Sequence, residues 1–318
     1  MLRCRAVVSL IFLLAPLAGA DRYPAKAVRF IVAFPAGGNS DLVARIVGQK
    51  LTDSLGRPFV IDNRGGAGGV IAEELAARSA PDGYTLLHVS IAHVVGSILH
   101  KTLAYDPMRD LTPVSLVVSV PNVLVVHKSI NVQSVPELIA LAKAKPGQLN
   151  YASSHTTSLH LASELFKAMA GVDILNVNYK SGGLAIPDLE AGRVQMALSV
   201  ITTALSALKG GRVRALAVTS AKRSLVLPEL PAIAEFVPGY ELTGWHGILA
   251  PAGTPRAVVL KLGEEVAKIM RMPDVRTKLV GMGADPVGST PDEFANFRRA
   301  EVAKVSTLVV KAGMKAEY

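Results

Sequence analysis

Short β-rich runs alternate with helical patterns along most of this chain, and that alternation limits its fold more than any other feature. Val28–Ala33 (VRFIVA) reads as a buried strand, and Phe34-Pro-Ala-Gly-Gly-Asn-Ser40 as the loop after it. In Asp41–Leu55, Leu42, Val43, Ile46, Val47, Leu51 and Leu55 recur at helical spacing. Asn39 or Ser40 can cap the start, and Gly56 stands just past the end. Phe59–Asp62 reads as a second strand, then come a glycine-rich turn and a helix over Val70–Ser79, and Tyr84–Ser90 is a third strand. A second series starts near Asn122. Its strands are Leu149–Ser153, Ile174–Asn178, Val194–Val200 and Arg214–Thr219, and its helices are Ser158–Ala170, Ala185–Ala191 and Thr202–Lys209. Beyond Pro251 the pattern is mostly helical, over Pro255–Met270, Pro273–Met282 and Pro291–Lys311, with prolines where first-turn residues belong. The series predicts an α/β protein with parallel-rich sheets covered by helices on both faces. At 318 residues it has room for two domains of about 150 each.

Met1–Ala20 is different in character. Arg3 and Arg5 precede an apolar run from Val7 to Ala18, and the stretch closes on Ala18-Gly19-Ala20. Two cations, a short apolar core and a small-x-small ending are the layout of a secretory signal peptide. A membrane-spanning helix needs about 20 apolar residues, more than this run supplies. The expectation is a periplasmic protein cleaved after Ala20. Cys4, the only cysteine, would leave with that segment, so the mature chain would be held by its core without a disulfide. Two arginines behind the formal charge of +9 would leave too, and no run of three Lys or Arg occurs elsewhere. With aromatics at 5%, no basic surface is interleaved with stacking rings, so nucleic acid is not expected as a partner.

Catalytic and cofactor signatures are missing. There is no Gly-x-Ser-x-Gly elbow, no phosphate-binding Gly-x(4)-Gly-Lys-Ser/Thr and no His-Glu-x-x-His. Gly66-Ala-Gly-Gly-Val-Ile71 lacks the last glycine of a dinucleotide fingerprint and follows the second strand, so it reads as a tight turn. His155 and His160 are five apart, whereas two metal ligands on one helical face need three or four. Neither a metal nor a cofactor is expected.

Two polar loops, each leading from a strand into a helix, stand out. The first comprises Phe34, Ala36, Gly37, Gly38, Asn39, Ser40 and Asp41; the second runs through Ser153, Ser154, His155, Thr156 and Thr157 to Ser158. The first N–H groups of a helix have no internal partner and carry partial positive charge, so such loops can hold a carboxylate without an arginine. Gly37 and Gly38 allow close approach to the backbone, and the hydroxyls of the second loop are adaptable donors. Asp41 can equally serve only to favour its helix start.

The ordered set Phe34-Pro-x-Gly-Gly38-x-x-Asp41, Asp62-Asn-Arg-x-Gly-Ala-Gly-Gly69, Pro81-Asp-Gly-Tyr-Thr-Leu-Leu87, Tyr105-Asp-Pro107, Asn150-Tyr-Ala-Ser153, Arg214-Ala-Leu-Ala-Val-Thr219 and Leu249-Ala-Pro-Ala-Gly-Thr-Pro255 resembles the Bug-type extracytoplasmic solute receptors of tripartite tricarboxylate transporters. The resemblance implies a type II periplasmic binding protein of two α/β lobes joined by two crossing strands, with a ligand cleft between them. Residues 21–122 with 247–282 would form lobe 1 and 123–246 lobe 2, while a helix within 283–318 would return across both. The two polar loops would face each other and grip a small mono- or dicarboxylate. Ser90 and His93 would line the cleft, and Tyr179, Ser199 and Trp245 would close its far side. Expected partners are the large and small membrane subunits of such a transporter, engaged by a monomeric receptor. Departures are His155-Thr156-Thr157, where the family has glycines, and Gln195 and Ser199, where it often has aspartate; a missing acid argues against an amino-acid ligand. A receptor signalling to a membrane kinase is one alternative. A hydrolase using a loop serine is another.

Overall fold

The computed structural model describes residues 23–100, 102–153, 158–179 and 182–311. Two mixed sheets organise them. In the first, β1 (Val28–Val32) lies between β2 (Phe59–Asn63) and β3 (Thr85–Ser90), parallel to both. Next to β3 comes β10 (Gly244–Pro251), antiparallel to it, then β4 (Leu111–Val120), and at the edge β11 (Asp285–Pro286). The second sheet has the order β7 (Leu175–Asn178), β6 (Asn150–Ser153), β8 (Met196–Val200), β5 (Asn122–His127) and β9 (Val213–Val218). Its β6 runs parallel to β7 and β8, while β5 is antiparallel to both neighbours. The chain thus makes a two-lobed α/β protein.

The antiparallel strands follow from how the chain crosses between sheets. It leaves β4 at Val120 and enters β5 at Asn122, so no helix intervenes to turn it back, and β5 opposes its neighbours. After β9 it returns through Thr219–Thr243 and enters the first sheet as β10, again opposed. Asn122 therefore belongs to the second sheet. Trp245 and His246, expected in lobe 2, are strand residues of the first.

Helices cover the sheets. On one face of the first sheet lie α1 (Asn39–Leu55), α8 (Arg256–Arg271) and α9 (Pro273–Gly281), over a core that includes Phe30, Val32, Leu86, Val114 and Ile248. On the other are α2 (Val70–Ala77), α3 (Ala92–Leu99) and α10 (Pro291–Lys311). Here Ile31, Leu87 and Leu249 share one continuous apolar cluster with Leu124, Tyr151 and Leu216 of the second sheet. The second sheet also carries α4 (Val135–Ala144), α5 (Ser158–Ala170), α6 (Gly182–Glu190) and α7 (Ile201–Lys209). The last helix, α10, touches β4, α3 and α8 of the first lobe and α5 of the second. No helix among the described residues is long and apolar enough to cross a membrane.

Candidate functional site

β3 ends at Ser90 and α3 begins two residues later. The Ser90 hydroxyl accepts a hydrogen bond from the Ala92 N–H at 3.1 Å, which tightens that corner. Ala92, Val95, Gly96 and Leu99, at positions i, i+3, i+4 and i+7, form one stripe of α3. Together with Ser90, Ile91 and His100 this stripe walls a cavity of about 710 Å³. Ala67 and Gly68 contribute from the glycine-rich loop, and Ser158, the first residue of α5, from the other lobe. Among the described lining residues the polar side chains are the Ser90 and Ser158 hydroxyls and the His100 imidazole, with no lysine, arginine or acid, so backbone dipoles, hydroxyls and that ring are the polar groups on offer.

The glycine-rich loop reaches this wall through backbone that few side chains tolerate. Gly66, Gly68 and Gly69 have φ of 132°, 66° and 108°, and Ala67 joins them at 47°. A Cβ at Gly65 would lie 2.9 Å from Pro35 Cδ, so this loop is stacked on the first polar loop.

That first loop is pinned from beneath by Asp41. Its carboxylate accepts from the Gly37 N–H (2.9 Å), Arg45 Nε (2.9 Å) and Asn63 Nδ2 (3.0 Å), and Asn63 Nδ2 also donates to the Phe34 carbonyl (3.0 Å). Burial alone would raise the Asp41 pKa, but the hydrogen bonds from Arg45, Gly37 and Asn63 outweigh it and hold it below the ordinary value. Gly37 has φ +85°, which favours glycine. Gly38, at φ −78°, caps α1 without a side-chain bond, and a Cβ there would meet only the Pro35 carbonyl at 3.7 Å.

Comparison with known proteins now decides the family. The model of the tripartite tricarboxylate transporter family receptor (TctC) matches residues 43–314. Protein BugT of Bordetella pertussis is 37% identical over 322 residues, covering 99% of each chain. The structure of R. palustris Rpa4515 with adipate is 38% identical, covers 92% of this chain and 99% of its own, and has a TM-score of 0.75. MatC of Rhodopseudomonas palustris with bound malate is 31% identical, covers 90% of this chain and all of its own (100%), and has a TM-score of 0.69. This chain belongs to the TctC receptor family.

Of the residues singled out from the sequence, Ser90 stands on the cavity wall of this TctC-family receptor, as does Ser158. The first loop does not supply lining residues: Ala36, Gly37, Gly38 and Asn39 are exposed, and Ser40 and Asp41 are buried. His93 turns away from the cavity into the core. Its Nδ1 meets Glu73 Oε2 at 2.8 Å, and the same oxygen accepts from the Tyr105 hydroxyl at 2.9 Å. Ser153 is buried, donating to Asn176 Oδ1 at 2.9 Å with His160 Nδ1 3.0 Å from its oxygen. Ser154, His155, Thr156 and Thr157 lie outside the described residues.

The expected far wall is placed differently again. Tyr179 packs on the core of the second sheet and donates to Asp188 Oδ2 at 2.7 Å. Ser199 is buried and donates to the Val200 carbonyl. Trp245 is 1% exposed between Phe294 and Phe297 of α10, its indole N–H donating to Glu301 at 3.2 Å. It is a core residue, because β10 carries its ring to the face that α10 covers. Asn63 and Arg64 brace the loops, Arg64 pairing with Asp62 at 2.8 Å. Sequence reasoning missed Ala67, Gly68 and the α3 stripe. One signal was available: apart from His93 and Ser97, which share one side, AHVVGSIL is apolar, which is more apolar surface than a single core-facing stripe needs.

Proposed function

We propose that this chain is an exported receptor that captures a small mono- or dicarboxylate between its lobes and presents it to the large and small membrane subunits of a tripartite transporter. The observation that carries this reading is the cavity walled by Ser90 and the start of α3 on one side and by Ser158 at the start of α5 on the other. Two helix N-termini converge on one space, so the positive ends of both helix dipoles face an anion from both lobes, although at α3 the Ala92 N–H is taken by Ser90 and those of Val94 and Val95 by the Ile91 carbonyl. The family match supports it, as does a relative whose structure holds adipate. The rest of the second loop, Ser154–Thr157, adjoins Ser158 in sequence and would add hydroxyls to the same grip; the first loop, whose Gly37 N–H is taken by Asp41, would act through its exposed backbone at Gly38. Met1–Ala20 would direct export and be removed.

The test is a thermal-shift screen of protein purified from the periplasm, whose N-terminus should read Asp21. A carboxylate at about 100 times its Kd should stabilise the fold by about 2.7 kcal/mol. Ser90→Ala and Ser158→Ala should each reduce that shift. Stabilisation by amino acids or sugars, with none from carboxylates, would sink the proposal.

A further inference from the structure

Gly96 has no packing reason to be glycine. It sits inside α3, where glycine destabilises a helix relative to alanine, and its φ is not in the left-handed region. A Cβ there would meet only His100 Cδ2, at an ordinary 3.7 Å. What the missing side chain does leave is space in the cavity, since Gly96 lies on its wall between Ala92, Val95 and Leu99. That stripe is apolar over the length of α3, about 10 Å at 1.5 Å rise per residue. The cavity, at about 710 Å³, falls within the range of roughly 300–1,000 Å³ that accommodates ligands much larger than a four-carbon acid.

From these features we infer that the site takes a carboxylate with an extended apolar body, an alkyl or aryl acid, in preference to hydroxylated di- or tricarboxylates. The carboxylate sits at the Ser90 and Ser158 end and the body lies along Ala92, Val95, Gly96 and Leu99. A hydroxyl on the body would lose its water against Ala92, Val95, Gly96 and Leu99, whose side chains offer it no partner and leave only the His100 ring at the far end, whereas each methylene gains by leaving water. Gly96 is the residue that sets the width of this channel. The inference rests on the carboxylate reading and narrows it.

Calorimetric titration with straight-chain monocarboxylates from butyrate to octanoate, and with malate and succinate, tests it. Affinity should rise up to about fourfold per added methylene along the series. Malate and succinate should bind more weakly than hexanoate. Gly96→Leu should flatten the gain with length, octanoate losing more affinity than butyrate, and Gly96→Ala should raise the melting temperature while weakening octanoate binding. A flat series, or malate binding tighter than hexanoate, overturns this inference and leaves the carboxylate reading intact. Failure of every acid, short or long, to bind overturns both.

Discussion

Two buried histidines meet across neighbouring strands of the first sheet. His88 of β3 and His246 of β10 bring Nε2 and Nδ1 within 2.9 Å, so one ring donates and the other accepts. Burial pushes His246 down from 6.5 to about 4. It also pushes His88 well below 6.5, with a second contribution from His246. Unfolded, both rings would take up a proton as the pH falls through about 6.5, while the folded pair stays neutral. Stability should therefore be full above that value and decline from there toward pH 4, by up to about 1.4 kcal/mol per pH unit for each histidine. Urea denaturation at pH 7 and pH 5 measures the slope, and His246→Gln should make it shallower. Equal stability at the two pH values would contradict the neutral-pair account.

Among the elements, β10 and α10 are the most closely fitted. A Cβ at Gly247 would fall 2.2 Å from Phe294 Cζ, so α10 rests on the strand's backbone where only glycine leaves room. Gly247→Ala must push Phe294 aside and should destabilise by about 1–3 kcal/mol, the usual effect of overpacking. Adding Phe294→Leu should recover part of that loss, which chemical denaturation of the two variants would show. The strand and helix patterns around this pair differed in legibility. α10 was readable because Pro291 starts it and its length is uninterrupted. β10 and β4 were not, because their partners are set by long-range pairing: Gly244 opposes Val120 and His246 opposes Ser90, across chain separations that no local periodicity encodes. The same blindness affected the site. Both polar loops looked alike in sequence, and nothing local told that Asp41 would occupy the Gly37 N–H or that α3 would turn its stripe to a cavity. Ser158 was legible as the end of a loop leading from a strand into a helix, whereas Ser90 was reached only through the family resemblance.

At the scale of the whole molecule, the lobes are tied by β4–β5, by the return into β10, and by α10, which reaches from the first lobe to α5 of the second. The chain's single tryptophan sits in that tie, between Phe294 and Phe297 and bonded to Glu301. It gives the protein a built-in optical probe of its own junction. Excited at the indole band, the folded chain should emit in the blue-shifted range of a shielded ring and resist quenching by acrylamide. A solute entering the cavity would not touch the indole, so saturation with a carboxylate should leave its accessibility to quencher unchanged. Unfolding should shift the emission to the red as α10 comes off β10. Direct quenching of the folded protein by an aromatic carboxylate would place the indole on the cleft wall instead, and the burial of Trp245 described above would then be wrong.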